Sequence, residues 1–397
     1  MKKKKVLLAF SGGLDTSYCV KYFIHDKNLE VHTAIVNTGG FSKKELHQIE
    51  EHALRLGAKT HKTIDGTGDF YQHIVRYLVF GNILKNNTYP LSVSAERIFQ
   101  AKALAEYAKT IKADYIAHGS TGAGNDQIRF DLVFQLVAPE LEILTPVRDQ
   151  VLTRQAEIEY LEKYGVTSDW KKAKYSLNKG LWGTSIGGKE MLTSHQPLPE
   201  EAYLSHLKKT EAETLTLGFE KGEIVALNGE RTHPVKVIQR IDEKASAYAI
   251  GRDMHTGDTI IGIKGRIGFE AAAATLIIKA HHVLEKHTLT KWQLYWKEQL
   301  ANWYGMFLHE AQYFEPVMRN IEHFLADTQE NVTGEVSVAL HPYRFEIQGI
   351  KSEYDLMDSG FGDYGEVNKA WTGDDVKGFV KIMANPLKIY KNVNGKL

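Results

Sequence analysis

The chain has almost no cysteine: Cys19 is the single thiol in 397 residues. That excludes a disulfide within the chain and fits a reducing compartment, so the expected location is cytoplasmic. Cys19 stands among apolar neighbours on a helical stretch and reads as packing. No run of eighteen apolar residues occurs, so no membrane span is predicted. Lys2 to Lys5 precede only five apolar residues, too few for a signal peptide, and read as a solvated tail. Neither sign of charge is in excess. Lys+Arg and Asp+Glu number 49 each, which leaves no overall basic footprint for nucleic acid. Internal repeats, low-complexity segments, and Ser-His-Asp or Cys-His arrangements are also missing. What is present, 43% hydrophobic and 25% charged residues, has the balance of a globular enzyme. The length predicts more than one domain.

The densest local signal lies near the start. Val6 to Phe10 is an apolar run, Ser11-Gly12-Gly13-Leu14-Asp15-Thr16-Ser17 follows, and Tyr18 to Ile24 continues with helical texture. This pattern predicts strand, glycine turn, helix. Adjacent glycines admit a ligand close to the backbone, and a helix start aims unpaired N–H groups at the same spot. Such a turn is an anion site, and phosphate is the usual anion. It is neither G-x-x-x-x-G-K-[ST] nor G-x-G-x-x-G.

Strand and helix signals alternate over the first 165 or so residues. Strands are expected at 31–36, 59–64, 115–117 and 142–145. Helices are expected after a Ser42/Glu45 capping box, over 94–111 and over 153–164. Repeated βα units predict a parallel, doubly wound α/β domain with ligands beyond the carboxyl ends of its strands. Beyond Gly165 the texture changes: 166–200 is polar and irregular, 212–250 reads as β-hairpins, and 270–327 as mostly helical. Trp292, Trp296, Trp303 and Phe307 recur at helical spacing and are expected in a buried or subunit interface. Val336, Val338 and Leu340 alternate as a strand. The expected division is 1–166, a nucleotide-binding domain; 167–365, an α+β synthetase and oligomerisation domain; and 366–397, a C-terminal oligomerisation tail.

A second dense stretch is His118-Gly119-Ser120-Thr121-Gly122-Ala123-Gly124-Asn125-Asp126-Gln127-Ile128-Arg129-Phe130. Arg129 can grip a carboxylate bidentately, and Asp126 can hold an ammonium or a hydrated magnesium. The first motif resembles the pyrophosphate loop of the N-type ATP pyrophosphatases. The single cysteine argues against relatives with a glutaminase cysteine or a cysteine pair. Ala9 to Ser17 and His118 to Phe130 together resemble the argininosuccinate synthase family. The likeness continues through Tyr89 to Arg97 and Tyr175 to Ile186.

That resemblance implies ATP + citrulline + aspartate giving AMP, pyrophosphate and argininosuccinate, with Mg2+. AMP transfer to the ureido oxygen makes it a leaving group, and the aspartate amine displaces it. ATP would lie on Ala9, Phe10, Ser11, Gly12, Gly13, Leu14, Asp15, Thr16 and Ser17, with Val36 and Gly119. Thr121, Asn125 and Asp126 would bind aspartate. Tyr89, Ser94, Asn125, Arg129, Ser176 and Ser185 would bind citrulline. Asp15 and Asp126 would be catalytic, no metal-ligating set is assigned, and a homotetramer is implied. The chain departs from the family pattern at Ala123 (usually lysine), Gly257 (a citrulline-contacting glutamate) and Phe269 (a citrulline-contacting tyrosine). Gly183 to Gly188 also lacks an acidic residue. Either Asp258 takes the glutamate's part, or the citrulline is N-acylated and brings no α-ammonium. Two alternatives stand beside the ligase: another adenylating pyrophosphatase, tRNA-modifying for example, and a non-catalytic ATP-binding module.

Overall fold

The structure is a computed structural model that describes residues 3–167, 170, 174–358, 360 and 370–396. Lys2 and the expected start of the tail at 366 lie outside the described residues. A parallel sheet has the order β3-β2-β1-β4-β5, built from β1 Lys5–Ala9, β2 Glu30–Asn37, β3 Thr60–Asp65, β4 Tyr115–Ala117 and β5 Glu142–Leu144. Each pairing is parallel. The strand order reverses between β1 and β4, the place where such sheets open a crevice.

The connecting helices are α1 Leu14–His25, α2 Lys43–Arg55, α3 Thr67–Phe70, α4 Arg76–Phe80, α5 Ser92–Thr110, α6 Asp126–Val137, α7 Pro146–Asp149 and α8 Arg154–Lys163. A π turn, Tyr71–Val75, joins α3 to α4. Ser42 caps α2 in the expected box with Glu45. The basic run at the N-terminus is less free than expected. Lys5 belongs to β1 and donates its amide to Asp114, and Lys4 reaches the Tyr115 hydroxyl. Cys19 is fully buried, as packing requires.

Two antiparallel sheets follow. One has the order β11-β12-β7-β6, the other β10-β9-β8-β13-β14. The first uses β6 Ser176–Gly180, β7 Gly183–Gly187, β11 Arg252–Asp258 and β12 Lys264–Glu270. So 166–200 is not merely irregular: a hairpin sits inside it. The second uses β8 Glu213–Glu220, β9 Glu223–Leu227, β10 Glu230–Arg231, β13 Gly334–His341 and β14 Arg344–Lys351. Two of its two-residue turns, Lys221-Gly222 and Asn228-Gly229, have positive φ at both residues, the geometry that lets strand twist pass through a tight hairpin.

The hairpin reading of 212–250 extends too far. Residues Pro234–Ser246 form α9, with Pro234 in the first turn and Val235, Ile238, Ile241 and Ala245 buried along one face. Their spacing is helical, and proline fits a helix start. The helices α10 Ala272–Thr288, α11 Lys291–His309 and α12 Pro316–Asp327 pack beside the sheets. The helices α13 Gly373–Met383 and α14 Asn385–Asn394 have no buried residue. In the single chain the α11 stripe is open: Trp292, Trp296 and Trp303 are each about 60% exposed. The three tryptophans are therefore not core residues, whereas Phe307 is half-buried and packs against the core.

Candidate active site

Ala9 ends β1, and the chain turns at Gly12 with φ +80°. A side chain is strained in that conformation, so glycine suits the turn. α1 starts directly after Gly13 with no side-chain cap, leaving its first N–H groups and positive dipole end facing the crevice. Ser11 and Gly13 are exposed. Phe10, Leu14, Thr16 and Ser17 are buried, so they shape the loop from behind. The Ser17 hydroxyl donates to the Gly13 carbonyl at 2.7 Å and meets His52 Nε2 at 2.9 Å. Its proton goes to the carbonyl, so His52 donates from Nε2. Burial lowers the His52 pKa and keeps the ring neutral. Beside the loop opens a cleft of about 360 Å³, lined among others by Ser11, Gly12, Phe41, Ile49, His52 and Trp170. Val36 is buried, with its side chain toward Gly66.

The two glycine loops touch. A Cβ at Gly119 would lie 3.2 Å from the Asp15 carbonyl carbon and from Thr16 Cγ2, which is why the residue after His118 carries no side chain. His118 is locked. Its Nδ1 accepts from the Ser120 amide at 3.2 Å, and its Nε2 meets Asp131 at 2.8 Å. Arg148 holds the other Asp131 oxygen at 2.6 Å. Thr121 to Gly124 are exposed, and Gln127 ties the loop down by donating to the Gly122 carbonyl at 2.6 Å. Behind α1, burial and then the charge of Asp15 push the Glu157 carboxyl up to about 8. Asp15 thus faces a carboxyl that is mostly protonated at neutral pH.

Asp126 opens α6 and is not a free carboxylate. One oxygen accepts from Arg97 Nε at 2.9 Å and the other from Arg129 Nη1 at 3.1 Å. The two guanidinium charges hold its pKa below the usual carboxylate range despite burial, which acts the other way. Arg129, 3% exposed, also donates to Ser94 Oγ at 3.0 Å and to the His309 carbonyl at 2.9 Å. Burial first, then the charge of Arg129, lower the His309 pKa to about 3, so its ring is neutral. Asn125 Oδ1 accepts from the Ile260 amide at 2.9 Å, tying the loop to the β11–β12 hairpin.

The sheet β11-β12-β7-β6 closes over this cluster. Ser185 stands opposite Asn178 on β6 and opposite Phe269 on β12. Side chains alternate along strands, so Ser176, Asn178, Ser185 and Phe269 share a face. The Ser185 hydroxyl is buried with no hydrogen-bond partner. Tyr89 stacks on His255 at 5.4 Å and tilts against Phe269 at 5.4 Å. Thus Tyr89, Ser94, Asn125, Asp126, Arg129 and Ser185 converge, with Ser176 exposed at the rim. Sequence reading missed Arg97, His255, His309 and Glu96. Arg97 was visible inside the Tyr89–Arg97 stretch; the histidines had no local signal. Glu96 is fully buried, and a Cβ at Gly180 would lie 1.2 Å from its Oε1. That contact explains the glycine in the Tyr175–Ile186 stretch. Burial pushes the Glu96 carboxyl up to about 8.

A parallel sheet whose switch point bears an uncapped helix and a glycine turn defines an α/β nucleotide-binding protein. Residues 5–167 match the family model described as the arginosuccinate synthase N-terminal HUP domain, and 175–390 match the C-terminal domain of that family. The chain belongs to the argininosuccinate synthase family. It is 36% identical over 384 residues to the argininosuccinate synthase of Dictyoglomus thermophilum, covering 96% of each chain. Against that of Pyrococcus furiosus it is 37% identical, covering 95% of this chain and 92% of the relative. Against that of Xanthomonas campestris it is 34% identical over 408 residues, covering 99% of this chain and all of the relative.

Proposed function

We propose that this protein is an ATP-dependent ligase that joins a citrulline-type ureido group to aspartate, giving AMP, pyrophosphate and an argininosuccinate-type product. The observation that carries the reading is the contact of the two glycine loops at the sheet's switch point, with Gly119 against Asp15 and Thr16. It sets a triphosphate tail beside the Asn125–Arg129 cluster. The α1 N–H groups and dipole receive the departing pyrophosphate, which needs fixed donors more than a covalent nucleophile. Thr121, Asn125 and Asp126 take the aspartate. Tyr89, Ser94, Asn125, Arg129, Ser176 and Ser185 take the ureido substrate. AMP passes to the ureido oxygen, the aspartate amine attacks the carbon, and AMP leaves.

Among the described residues no group of three or more His, Cys, Asp or Glu could hold a metal ion. Asp15 on the first glycine loop would be the carboxylate to help hold Mg2+, which would neutralise phosphate charge. His118 has both ring nitrogens engaged and is not free to act as a base. The amine's proton goes instead to phosphate oxygens.

The divisions 1–166, 167–365 and 366–397 serve as nucleotide domain, synthetase domain and assembly tail. Support for a homotetramer comes from the open α11 stripe and from α13–α14, where Phe379, Ile382, Leu387 and Val393 are exposed. A cytoplasmic location agrees with the single buried thiol, and no helix among the described residues is long and apolar enough to cross a membrane.

The test is pyrophosphate release from ATP with the ureido substrate and aspartate each omitted in turn. Release that needs both is expected; release indifferent to either one overturns the reading. An ATP-binding protein without release would point to the non-catalytic alternative.

A further inference from the structure

Fixed charge around Tyr89, Ser94 and Arg129 is positive. Arg97 and Arg129 share one carboxylate, Asp126. Burial keeps Glu96 mostly protonated, and burial also holds His255 and His309 neutral. One more cation stands close by. Lys85 is bridged to Tyr89 across a tight turn, its amide donating to the Tyr89 carbonyl at 2.8 Å. The Lys85 side chain is half-buried, and its ammonium meets only Met306 Sδ, at 3.8 Å. Among the described residues no carboxylate lies within ion-pair distance of it. Glu310 and Asp258 act on it through space, and Asp258 is already held by Lys264 at 2.7 Å.

The facing hairpin has two exposed acids: Asp258 is paired with Lys264, and Asp253, opposite Phe269, accepts from the Met254 amide. Gly257 lies two residues beyond His255 on the same face of β11. A Cβ there would sit 2.6 Å from His255 Nε2 and 3.5 Å from Asn86 Nδ2. An acidic side chain at 257 therefore has no room unless His255 moves. Phe269 contributes a ring without a hydroxyl. Glu190, another buried carboxyl, lies by Gly188 and Tyr175 at the open end of the β6–β7 hairpin, beyond Ser185.

A free amino acid bound here brings a carboxylate that the surplus positive charge can hold and an ammonium that it repels, and an ion left unpaired away from water is costly. An acyl group on the α-nitrogen removes that ammonium. A carboxylate at the end of the acyl group supplies the anion that Lys85 lacks. Resting on the ligase reading above, we propose that the preferred ureido substrate is an N-acyl-citrulline whose acyl group ends in a carboxylate, with Lys85 as the residue that selects it.

The experiment measures pyrophosphate release by the full-length protein with ATP, Mg2+ and aspartate. The third substrate is L-citrulline, N-acetyl-L-citrulline or N-succinyl-L-citrulline. The expected kcat/KM is highest for the succinyl compound, about tenfold or more above the acetyl one, in the range of a charge-assisted pair. L-citrulline comes last. Lys85→Gln brings the succinyl-to-acetyl ratio to within about twofold of unity, while Lys85→Arg keeps the preference. A thermal melt checks that each variant is folded. Citrulline used as well as the succinyl compound overturns the proposal, and so does a preference for acetyl over succinyl. A succinyl preference that survives Lys85→Gln overturns the part given to Lys85. Release with none of the three removes the ligase reading, and this proposal with it.

Discussion

The two glycine loops meet, yet they are built in opposite ways. Around Ser11–Ser17 the backbone is left open: α1 has no side-chain cap, and Ser11 and Gly13 face solvent. Around Asn125–Arg129 the side chains are saturated. Asp126 has two guanidinium partners, and Arg129 spans Ser94, Asp126 and the His309 carbonyl. An open helix start costs little in water and is ready for an anion. A cluster of charges at the end of a crevice must be paired before substrate arrives, or the desolvated ions would unfold it. The first loop is therefore a receptor, and the second is a scaffold that presents donors already held in place.

If that contrast is right, damage to the second loop costs fold and function together. Asp126→Ala leaves Arg97 and Arg129 sharing no carboxylate. Turnover should fall below detection, and stability should drop by about 2–3 kcal/mol, under the fully buried range because Asp126 is partly exposed. Denaturant unfolding checks this: an unchanged melt would show that the pairing with Arg97 and Arg129 adds no stability. Gly119→Val strikes the contact between the loops. A Cβ already meets Asp15 and Thr16 at 3.2 Å, so turnover should fall about 100-fold through misplacement of the reacting groups. Wild-type kinetics would show that the loops do not need to touch.

Damage to the open loop should separate the two costs. Gly12→Ala places a side chain at φ +80°, a strain of about 1–2 kcal/mol. The KM for ATP should rise about tenfold or more while the melt falls by only a few degrees. An unaltered KM with a large stability loss would make this loop a scaffold too.

The last effect is on pH. Between about pH 4.5 and 8, Glu96 is protonated in the folded chain and ionised in the unfolded one. The folded state then holds the extra proton, so stability falls as pH rises through that window. His281 and His309, lowered to about 4 and about 3 chiefly by burial, oppose this below their usual value of 6.5. Glu157, also pushed up to about 8, acts in the same direction as Glu96, so net loss should show between about pH 6.5 and 8, amounting to about 4 kcal/mol at most. Glu96→Gln keeps the shape against Gly180 and should about halve that slope, Glu157 carrying the rest. An unchanged slope would mean that Glu96 is ionised in the fold.

The amino-acid sequence by itself determined the local devices. The positive-φ glycine at 12, the Ser42–Glu45 box, the Asn228-Gly229 turn and the βα alternation each depend on neighbours within a few residues, where steric and hydrogen-bonding preferences act directly. A run of βα units then leaves few topologies, so a parallel, doubly wound sheet was legible as well, while its strand order and switch point came from the structure. The tertiary structure alone decided who pairs with whom. His309 meets Arg129 across 180 residues of chain, Glu96 explains Gly180, and His255 stacks on Tyr89. It also decided that Pro234–Ser246 coils into a helix and that the α11 tryptophans stay at the surface. Charge pairing, burial and exposure depend on distances that chain separation does not encode. They become defined only when the antiparallel sheet closes over the crevice.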